Sequence, residues 1–144
     1  HKLIPFLTEL NQTLHHKIKK IIREHGGPFS PEYTFYQEQG SCRDTALLMM
    51  AIVREFGIAS RFVSGYHYDI RPENDHELHA WLDVFIPGVG WKGFDPSIGL
   101  VVADQHVSIC AFAIPELCLP LEGTFSGPSD STLHTLVNIN AMNS

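Results

Sequence analysis

Three residue types that can cooperate in covalent catalysis occur in a fixed order along the chain. Cys42 follows a Gly-Ser pair, His79 precedes Ala-Trp, and Asp95 lies between Phe and Pro. A cysteine nucleophile needs a base that takes its proton, and the base needs a third group that orients its ring. The sequence therefore predicts a catalytic triad of Cys42, His79 and Asp95.

Cys42 occupies the position where a helix is expected to begin. Ser41 is a good N-cap residue, and Asp44 at the third helical position completes an approximate capping box. Unpaired backbone N–H groups and the helix dipole favour a thiolate there, and the same groups could bind an oxyanion. Arg43 adds positive charge. The alternative is that Cys42 is simply a small buried side chain.

His79 falls within an alternating pattern over residues 77–86 that predicts a strand. His79, Trp81, Asp83 and Phe85 share one face, and the apolar residues between them share the other. A strand gives a general base a fixed position. The alternative is a half-buried histidine that forms hydrogen bonds but does no chemistry.

Asp95 reaches His79 only in one hairpin register. A three-residue loop at 87–89 puts Asp95 opposite Trp81 and diagonal to His79, within side-chain reach. A two-residue turn would put it opposite Leu82, on the wrong face. Asp83 is about 13 Å along the strand from His79, which is too far to orient the ring.

A metal site is the weaker interpretation of these residues. A Cys42/His67/His79 set could hold zinc. His76, however, falls on the opposite strand face from His79, and the segment lacks the spacing of the helical zinc-protease motif. Because the sequence also contains no calcium-loop pattern, we expect no cofactor.

The order of the elements predicts the fold class. Helices are expected over about 5–25 and 42–56, separated by a loop over 29–39. Strands are expected over 59–69, 77–86 and 91–95 and near 107–112 and 133–139, with a polar loop at 71–75. Helices followed by an antiparallel sheet indicate an α+β domain.

Composition narrows the classes of function. The 144-residue chain has 44% hydrophobic and 18% charged residues and a net charge of −6, which is typical of a globular domain and argues against nucleic-acid binding. The longest apolar run, 46–53, is too short to cross a bilayer. Cys110 and Cys118 have apolar neighbours; a disulfide between them stays open, while the odd cysteine count favours a free Cys42 in a cytoplasmic protein.

Several segments together carry a family resemblance. They are Gly40-Ser41-Cys42-Arg43-Asp44, the stretch from Phe56 to Tyr66, His79-Ala80-Trp81-Leu82-Asp83-Val84-Phe85, and Gly90-Trp91-Lys92-Gly93-Phe94-Asp95-Pro96. In order and spacing the chain resembles, over about residues 20–125, the bacterial transglutaminase-like family, candidate cysteine proteases of the papain-like superfamily.

The resemblance implies a papain-like core, with Cys42 at the start of a buried helix packed on the sheet, and a catalytic triad carried onto Cys42, His79 and Asp95. It also implies that residues 1–144 form a single catalytic domain, on which an N-terminal β-rich domain outside this chain packs. Protein or peptide is the expected substrate, with no nucleic-acid or membrane partner.

The expected reaction is acyl chemistry on amide bonds through a thioester, either hydrolysis by a peptidase or amidase, or transglutaminase-type transfer. Two departures from the family pattern are Thr45, where an aromatic residue is common, and Phe112–Pro115, where the family often has Gly-Arg-Asp-Tyr. The second departure keeps open an alternative function, a non-catalytic binding module. Candidate cleft and oxyanion residues are Trp81, Trp91, Tyr66, Tyr36, Gln37 and Gln39.

Overall fold

The computed structural model describes residues 2–23, 26–69, 78–118, 126–128, 130, 132, 134 and 136–142. Its helices are α1 (Leu3–Lys17), α2 (Pro31–Gln37), α3 (Cys42–Glu55) and a 3₁₀ turn (Pro115–Cys118). Its strands are β1 (Lys19–Lys20), β2 (Gln39–Gly40), β3 (Ser60–His67), β4 (Leu78–Ile86), β5 (Gly90–Asp95), β6 (Leu100–Val101) and β7 (His106–Phe112). Within these described ranges, no helix has both the length and the apolarity that a membrane span requires.

Five strands form one antiparallel sheet in the order β6-β5-β4-β3-β7. The core lies between one face of this sheet and the helices α1 and α3. Leu7 and Leu14 come from α1, Met49 and Val53 from α3, and all four are at most 2% exposed. The α+β prediction is confirmed, with Cys42 at the start of a largely buried helix.

Strand β4 has the predicted alternation. Ala80, Leu82, Val84 and Ile86 are buried in the core shared with the helices. On the other face, burial falls along the strand, from His79 and Trp81, which are buried, to an exposed Phe85. The second face is therefore covered at the end that carries His79.

A glycine in β3 makes room for Trp81. A Cβ on Gly65 would lie 2.6 Å from the Trp81 ring and 2.1 Å from the backbone oxygen of Val107. A register shift between Ser64 and Gly65 interrupts the pairing of β3 with β7 at the same point. Because both neighbours come so close, this strand position tolerates no side chain.

The β4–β5 hairpin has the predicted three-residue loop. Ile86 pairs with Gly90 and Leu82 with Phe94, so the same register places Asp95 opposite Trp81. Gly88 and Gly90 have φ values of +81° and +97°, which favour glycine.

The first helix is shorter than predicted. It ends at Lys17, and Ile18 is extended. The Lys19 N–H donates to the Glu38 carbonyl and the Ile21 N–H to that of Gly40, at 2.8 and 3.0 Å. These bonds form the short parallel pair β1–β2. Tertiary pairing to the segment before Cys42 thus replaces the last helical turns.

The predicted loop over 29–39 was wrong in part, because it contains α2. Ser30 caps this helix by accepting from the Tyr33 N–H, and Pro31 occupies its first turn. The strand predicted near 133–139 was also wrong for the residues described there, which form no strand. The polar loop predicted at 71–75 lies outside the described residues.

All three cysteines are free. The sulfurs of Cys110 and Cys118 are 3.2 Å apart, and the Cys118 thiol also lies 3.6 Å from the Phe62 carbonyl. Burial and the neighbouring Cys110 thiol raise the pKa of Cys118 to about 11. Cys118 is therefore a poor source of thiolate at neutral pH.

Candidate active site

Cys42 is the first residue of α3, and a complete capping box organises the turn around it. The Ser41 side chain accepts from the Asp44 N–H, while the Asp44 carboxylate accepts from the Ser41 N–H at 2.8 Å. The first helical backbone bond runs from the Thr45 N–H to the Ser41 carbonyl. The Cys42 and Arg43 amides thus precede the helical ladder, where backbone N–H groups stabilise negative charge.

Asp44 anchors this turn to the chain that precedes it. Its carboxylate accepts from Arg23 at 2.9 Å, from the Phe29 N–H at 2.8 Å and from both donors of Ser41. Burial opposes ionisation, but these donors outweigh it and lower the pKa of Asp44. Arg43, by contrast, reaches the Gly26 carbonyl at 3.2 Å.

A glycine is needed just before the cap. A Cβ on Gly40 would lie 2.8 Å from Cβ of Asp44 and 3.1 Å from the Thr34 side chain. The Gly-Ser-Cys order in the sequence therefore has a steric cause, since the backbone at residue 40 must pass close under the Asp44 side chain.

His79 lies between the thiol and the carboxylate. Its Nε2 is 2.6 Å from Asp95 Oδ2, and its side chain also forms a hydrogen bond with Cys42. Because Nε2 faces Asp95, Nδ1 is the ring nitrogen left for the sulfur. Burial lowers the pKa of His79, but the bonds to Asp95 and Cys42 outweigh it and raise the pKa to about 9.

Asp95 ends β5 and is fully buried. Its Oδ2 accepts from His79, and its Oδ1 accepts from the Ser97 hydroxyl at 2.9 Å. His106 Nε2 lies 2.9 Å from the same Oδ2. Burial favours the neutral acid, but the bonds from His106, His79 and Ser97 hold the pKa of Asp95 far below its ordinary value.

The pKa of the Cys42 thiol is lowered. Burial raises this pKa, but the opposing effects are larger in total. They are the hydrogen bond and charge of His79, a bond from the Ala80 N–H and the charge of Lys20. The three residues predicted from the sequence thus meet as a thiol, an imidazole and a carboxylate. Chemically, such an arrangement can hold a thiolate–imidazolium pair.

Sequence reasoning missed the second histidine on Asp95. His106 begins β7 and pairs with His67 of β3. Although β3 and β4 separate β5 from β7, the His106 ring lies 5.0 Å from Trp81 and 6.4 Å from His79 between ring centroids. No local pattern signals this contact, because it depends on how β7 pairs with β3.

The fold places the predicted cleft aromatics in different environments. Trp81 is 1% exposed and packs beside His106, whereas Tyr36 is 78% exposed. Trp91 lies over the Arg61 guanidinium at 4.4 Å, so it packs against a surface side chain. Gln37 ends α2 exposed to solvent, and Gln39 is half-buried in β2.

The residues that could bind a metal also differ from those predicted. Within the described ranges, the three side chains whose ligand atoms converge are His79, Asp95 and His106, rather than Cys42, His67 and His79. The His67 ring nevertheless lies close, 4.7 Å from His106 and 6.0 Å from His79 between ring centroids.

With this geometry established, comparison with known proteins identifies the family. A sequence profile of the Transglutaminase-like superfamily matches residues 6–96, so the chain belongs to that superfamily. An uncharacterized protein of Mycobacterium leprae is 30% identical over 112 residues, covering 72% of this chain and 38% of that protein. The uncharacterized protein YebA of Bacillus subtilis is 26% identical over 88 residues, covering 54% and 12%. The chain thus spans well under half of these relatives.

Solved structures share the fold. A candidate cysteine protease from Cytophaga hutchinsonii aligns with a TM-score of 0.62 and 26% identity, covering 73% of this chain and 35% of that one. Calcium-bound LapG of Legionella pneumophila aligns with a TM-score of 0.61 over 76% of this chain and 65% of its own, at 11% identity. At that identity the similarity to LapG supports the fold alone. The transglutaminase-like, papain-like architecture expected from the sequence is confirmed.

Proposed function

We propose that this domain catalyses thiol-dependent acyl chemistry on amide bonds of a protein or peptide. The observation that carries the proposal is the position of His79, hydrogen-bonded to Cys42 on one side and 2.6 Å from Asp95 on the other. The likeness to a candidate cysteine protease at 26% identity supports the same class of reaction.

In the first step the Cys42 thiolate attacks the amide carbonyl carbon, a C–S bond forms, and the carbonyl electron pair moves to oxygen. The backbone amides at the start of α3 are placed to stabilise that oxyanion. The carbonyl then re-forms as the C–N bond breaks, and His79 gives its proton to the leaving nitrogen. An amine departs, and the acyl group remains as a thioester on Cys42.

In the second step a nucleophile attacks the thioester carbonyl while neutral His79 accepts its proton. The C–S bond then breaks and releases the Cys42 thiolate. Water yields a carboxylic acid, as in a peptidase or amidase, and a primary amine yields a new amide, as in a transglutaminase. Asp95 holds the His79 ring in place and stabilises its cationic form in both steps. Hydrolysis and transfer therefore share one site and differ in which acceptor reaches the thioester.

Mass spectrometry of Cys42 after incubation with glutamine-containing peptides tests the proposal. We expect an acyl adduct on Cys42 that decays faster when a primary amine is added if the enzyme is a transferase, and at an unchanged rate if it is a hydrolase. Asp95→Asn should slow adduct formation by about 10²-fold. Asp83→Asn is the matched control, because Asp83 pairs with Arg61 at 2.9 Å and should leave the rate unchanged.

Absence of any adduct or turnover across a broad peptide library, in a protein whose Cys42 still reacts rapidly with iodoacetamide, would contradict the assigned substrate class. Slow and equal labelling of all three cysteines would contradict the activated thiolate, and would favour the binding-module alternative.

A further inference from the structure

The triad needs one imidazole, but the structure places three around one carboxylate. His79, His106 and His67 lie with ring centroids 4.7–6.4 Å apart. His106 Nδ1 and His67 Nε2 are buried, and neither has a hydrogen-bond partner among the described residues. Thiol chemistry uses neither ring, so this concentration of nitrogen ligands calls for a separate explanation.

Three ligand atoms in this cluster converge on one point. The Nε2 atoms of His79 and His106 are 2.6 and 2.9 Å from the same oxygen, Asp95 Oδ2. All three atoms lie within 4.8 Å of one another. In a tetrahedral zinc site with bonds of about 2.0–2.1 Å, ligand atoms are about 3.4 Å apart. The 2.6 and 2.9 Å separations would therefore have to lengthen by about 0.8 and 0.5 Å to make room for the ion.

We propose that His79, Asp95 and His106 form a zinc-binding site whose occupation blocks the acyl chemistry of Cys42. Two imidazoles and one carboxylate are the ligand types of a three-residue zinc site with an open fourth position. The Ser97 hydroxyl, 2.9 Å from Asp95 Oδ1, orients the carboxylate ligand from behind. The set is too rich in nitrogen for calcium or magnesium, which prefer oxygen ligands.

Zinc binding and the proposed chemistry exclude each other at a single atom. Zinc would occupy His79 Nε2, the atom that otherwise donates to Asp95, so its proton leaves the ring. That proton is released to solvent, and the zinc-bound ring keeps only the Nδ1 proton. Giving up this last proton would leave an imidazolate, so zinc-bound His79 is a much weaker general acid toward the leaving amine than the imidazolium. Zinc binding stands independently of the proposed function, whereas its inhibitory effect rests on it.

Isothermal titration of the metal-free protein with zinc chloride tests the site. A Cys110→Ser background removes the thiol pair, which could bind zinc separately. We expect one zinc site, whose affinity falls at least tenfold in His106→Gln. The glutamine amide still offers an N–H to Asp95, which protects the fold. The matched control His16→Gln changes an exposed histidine of α1 and should bind as the parent does.

Cys42→Ala tests whether zinc instead binds between the Cys42 thiolate and the His79 imidazole. If zinc occupies the proposed site, this variant should retain zinc affinity within about threefold of the parent. Substituting cobalt gives a second readout that needs no His106 variant. Nitrogen and oxygen ligands predict d–d bands without an intense thiolate charge-transfer band. Undiminished zinc affinity in His106→Gln, loss of binding in Cys42→Ala, or a strong thiolate band would each overturn the site.

Zinc should also slow acylation of Cys42 by the glutamine-containing peptides in the parent, and much less in His106→Gln at the same concentration. If zinc binds as expected but no peptide acylates Cys42, the proposed function fails while the metal site stands. If peptides acylate Cys42 but zinc does not bind, the metal site fails alone.

Discussion

At the scale of single residues, the central question is how the half-buried thiol of Cys42 can be ionised. Burial alone raises the pKa of Cys42, and the opposing effect of His79, the Ala80 N–H and Lys20 wins. The same pairing raises the pKa of His79 to about 9. Each group stabilises the charged form of the other, as expected for opposite charges in a poorly solvated site.

The pH dependence of Cys42 labelling follows from these directions. Because the pKa of Cys42 is lowered, its iodoacetamide rate should rise less steeply between pH 6.5 and 8.5 than the rate of a thiol with a raised pKa. The thiol of Cys118, whose pKa is raised to about 11, should gain about tenfold per pH unit over that range. Peptide-level mass spectrometry with EDTA present measures all three cysteines in one sample.

His79→Ala is the decisive variant for this profile. Without its partner, Cys42 should react more slowly at pH 6.5 and recover as the pH rises, while His16→Ala should behave as the parent. Turnover, if present, should decline above about pH 9, where His79 loses the proton that it must donate. An unchanged profile in His79→Ala would refute the ion pair.

At the scale of elements, the site depends on the ends of strands and helices. Cys42 begins α3, Asp95 ends β5, and His106 begins β7. Backbone hydrogen bonding holds each of these ends, so the candidate catalytic side chains are attached to regular secondary structure. Between them, β4 supplies His79 from its first residues, and Gly65 of β3 permits Trp81 to cover the second face.

The junction of β7 with the 3₁₀ turn offers a test at this scale. The Cys110 and Cys118 sulfurs are 3.2 Å apart, so diamide should oxidise them to a disulfide without large backbone movement. We expect the loss of two thiol hydrogens in the peptide containing both residues, and a small rise in the thermal midpoint, because the cross-link restrains the unfolded chain. Cys110→Ser should abolish both effects. Preferential cross-linking through Cys42 would show that the strand and turn are arranged differently.

At the scale of the whole molecule, Asp44 links remote parts of the chain. Its buried carboxylate joins Arg23, the backbone of Phe29 and the start of α3. The Arg23 side chain is only 15% exposed, and its guanidinium lies 3.5 Å from the Phe29 ring centroid. This ion pair is therefore expected to contribute to global stability as well as to the local turn.

Asp44→Asn should lower the free energy of unfolding at pH 7 by about 3 kcal/mol, since it leaves a largely buried guanidinium without its counter-charge. The pKa of Asp44 is lowered in the folded state, so its stabilising effect is complete above the ordinary carboxyl pKa and is lost as the pH falls toward the folded value. The gap between parent and variant should thus narrow below about pH 4.

Urea unfolding at pH 7, 5 and 3 measures this gap. Asp83→Asn again serves as the control, because its partner Arg61 is about one-third exposed and surface ion pairs contribute about 0–1 kcal/mol. A gap for Asp44→Asn no larger than for Asp83→Asn, or one that widens in acid, would contradict the proposed contribution.

Much of the fold and of the candidate site could be read from local patterns. The cap at Ser41 and Asp44, the alternation of β4 and the three-residue hairpin loop are short-range features, and each was confirmed. They suffice to place Cys42, His79 and Asp95. The end of α1 was mispredicted because pairing of β1 with β2 overrode the helical periodicity. The helix α2 was not predicted, although Ser30 and Pro31 are a typical helix start.

From the sequence alone, local patterns put Cys42 at a helix start and Asp95 within reach of His79, since caps, strand alternation and hairpin loops are set by neighbours a few residues apart. The family resemblance then implied that all three residues meet. Only the tertiary structure brought His106 and His67 near Asp95, and only it placed Arg23 beside Asp44. Those contacts join segments whose separation in the chain is not related to any local period. They exist because strand order and packing, rather than neighbouring residues, decide what a buried side chain touches.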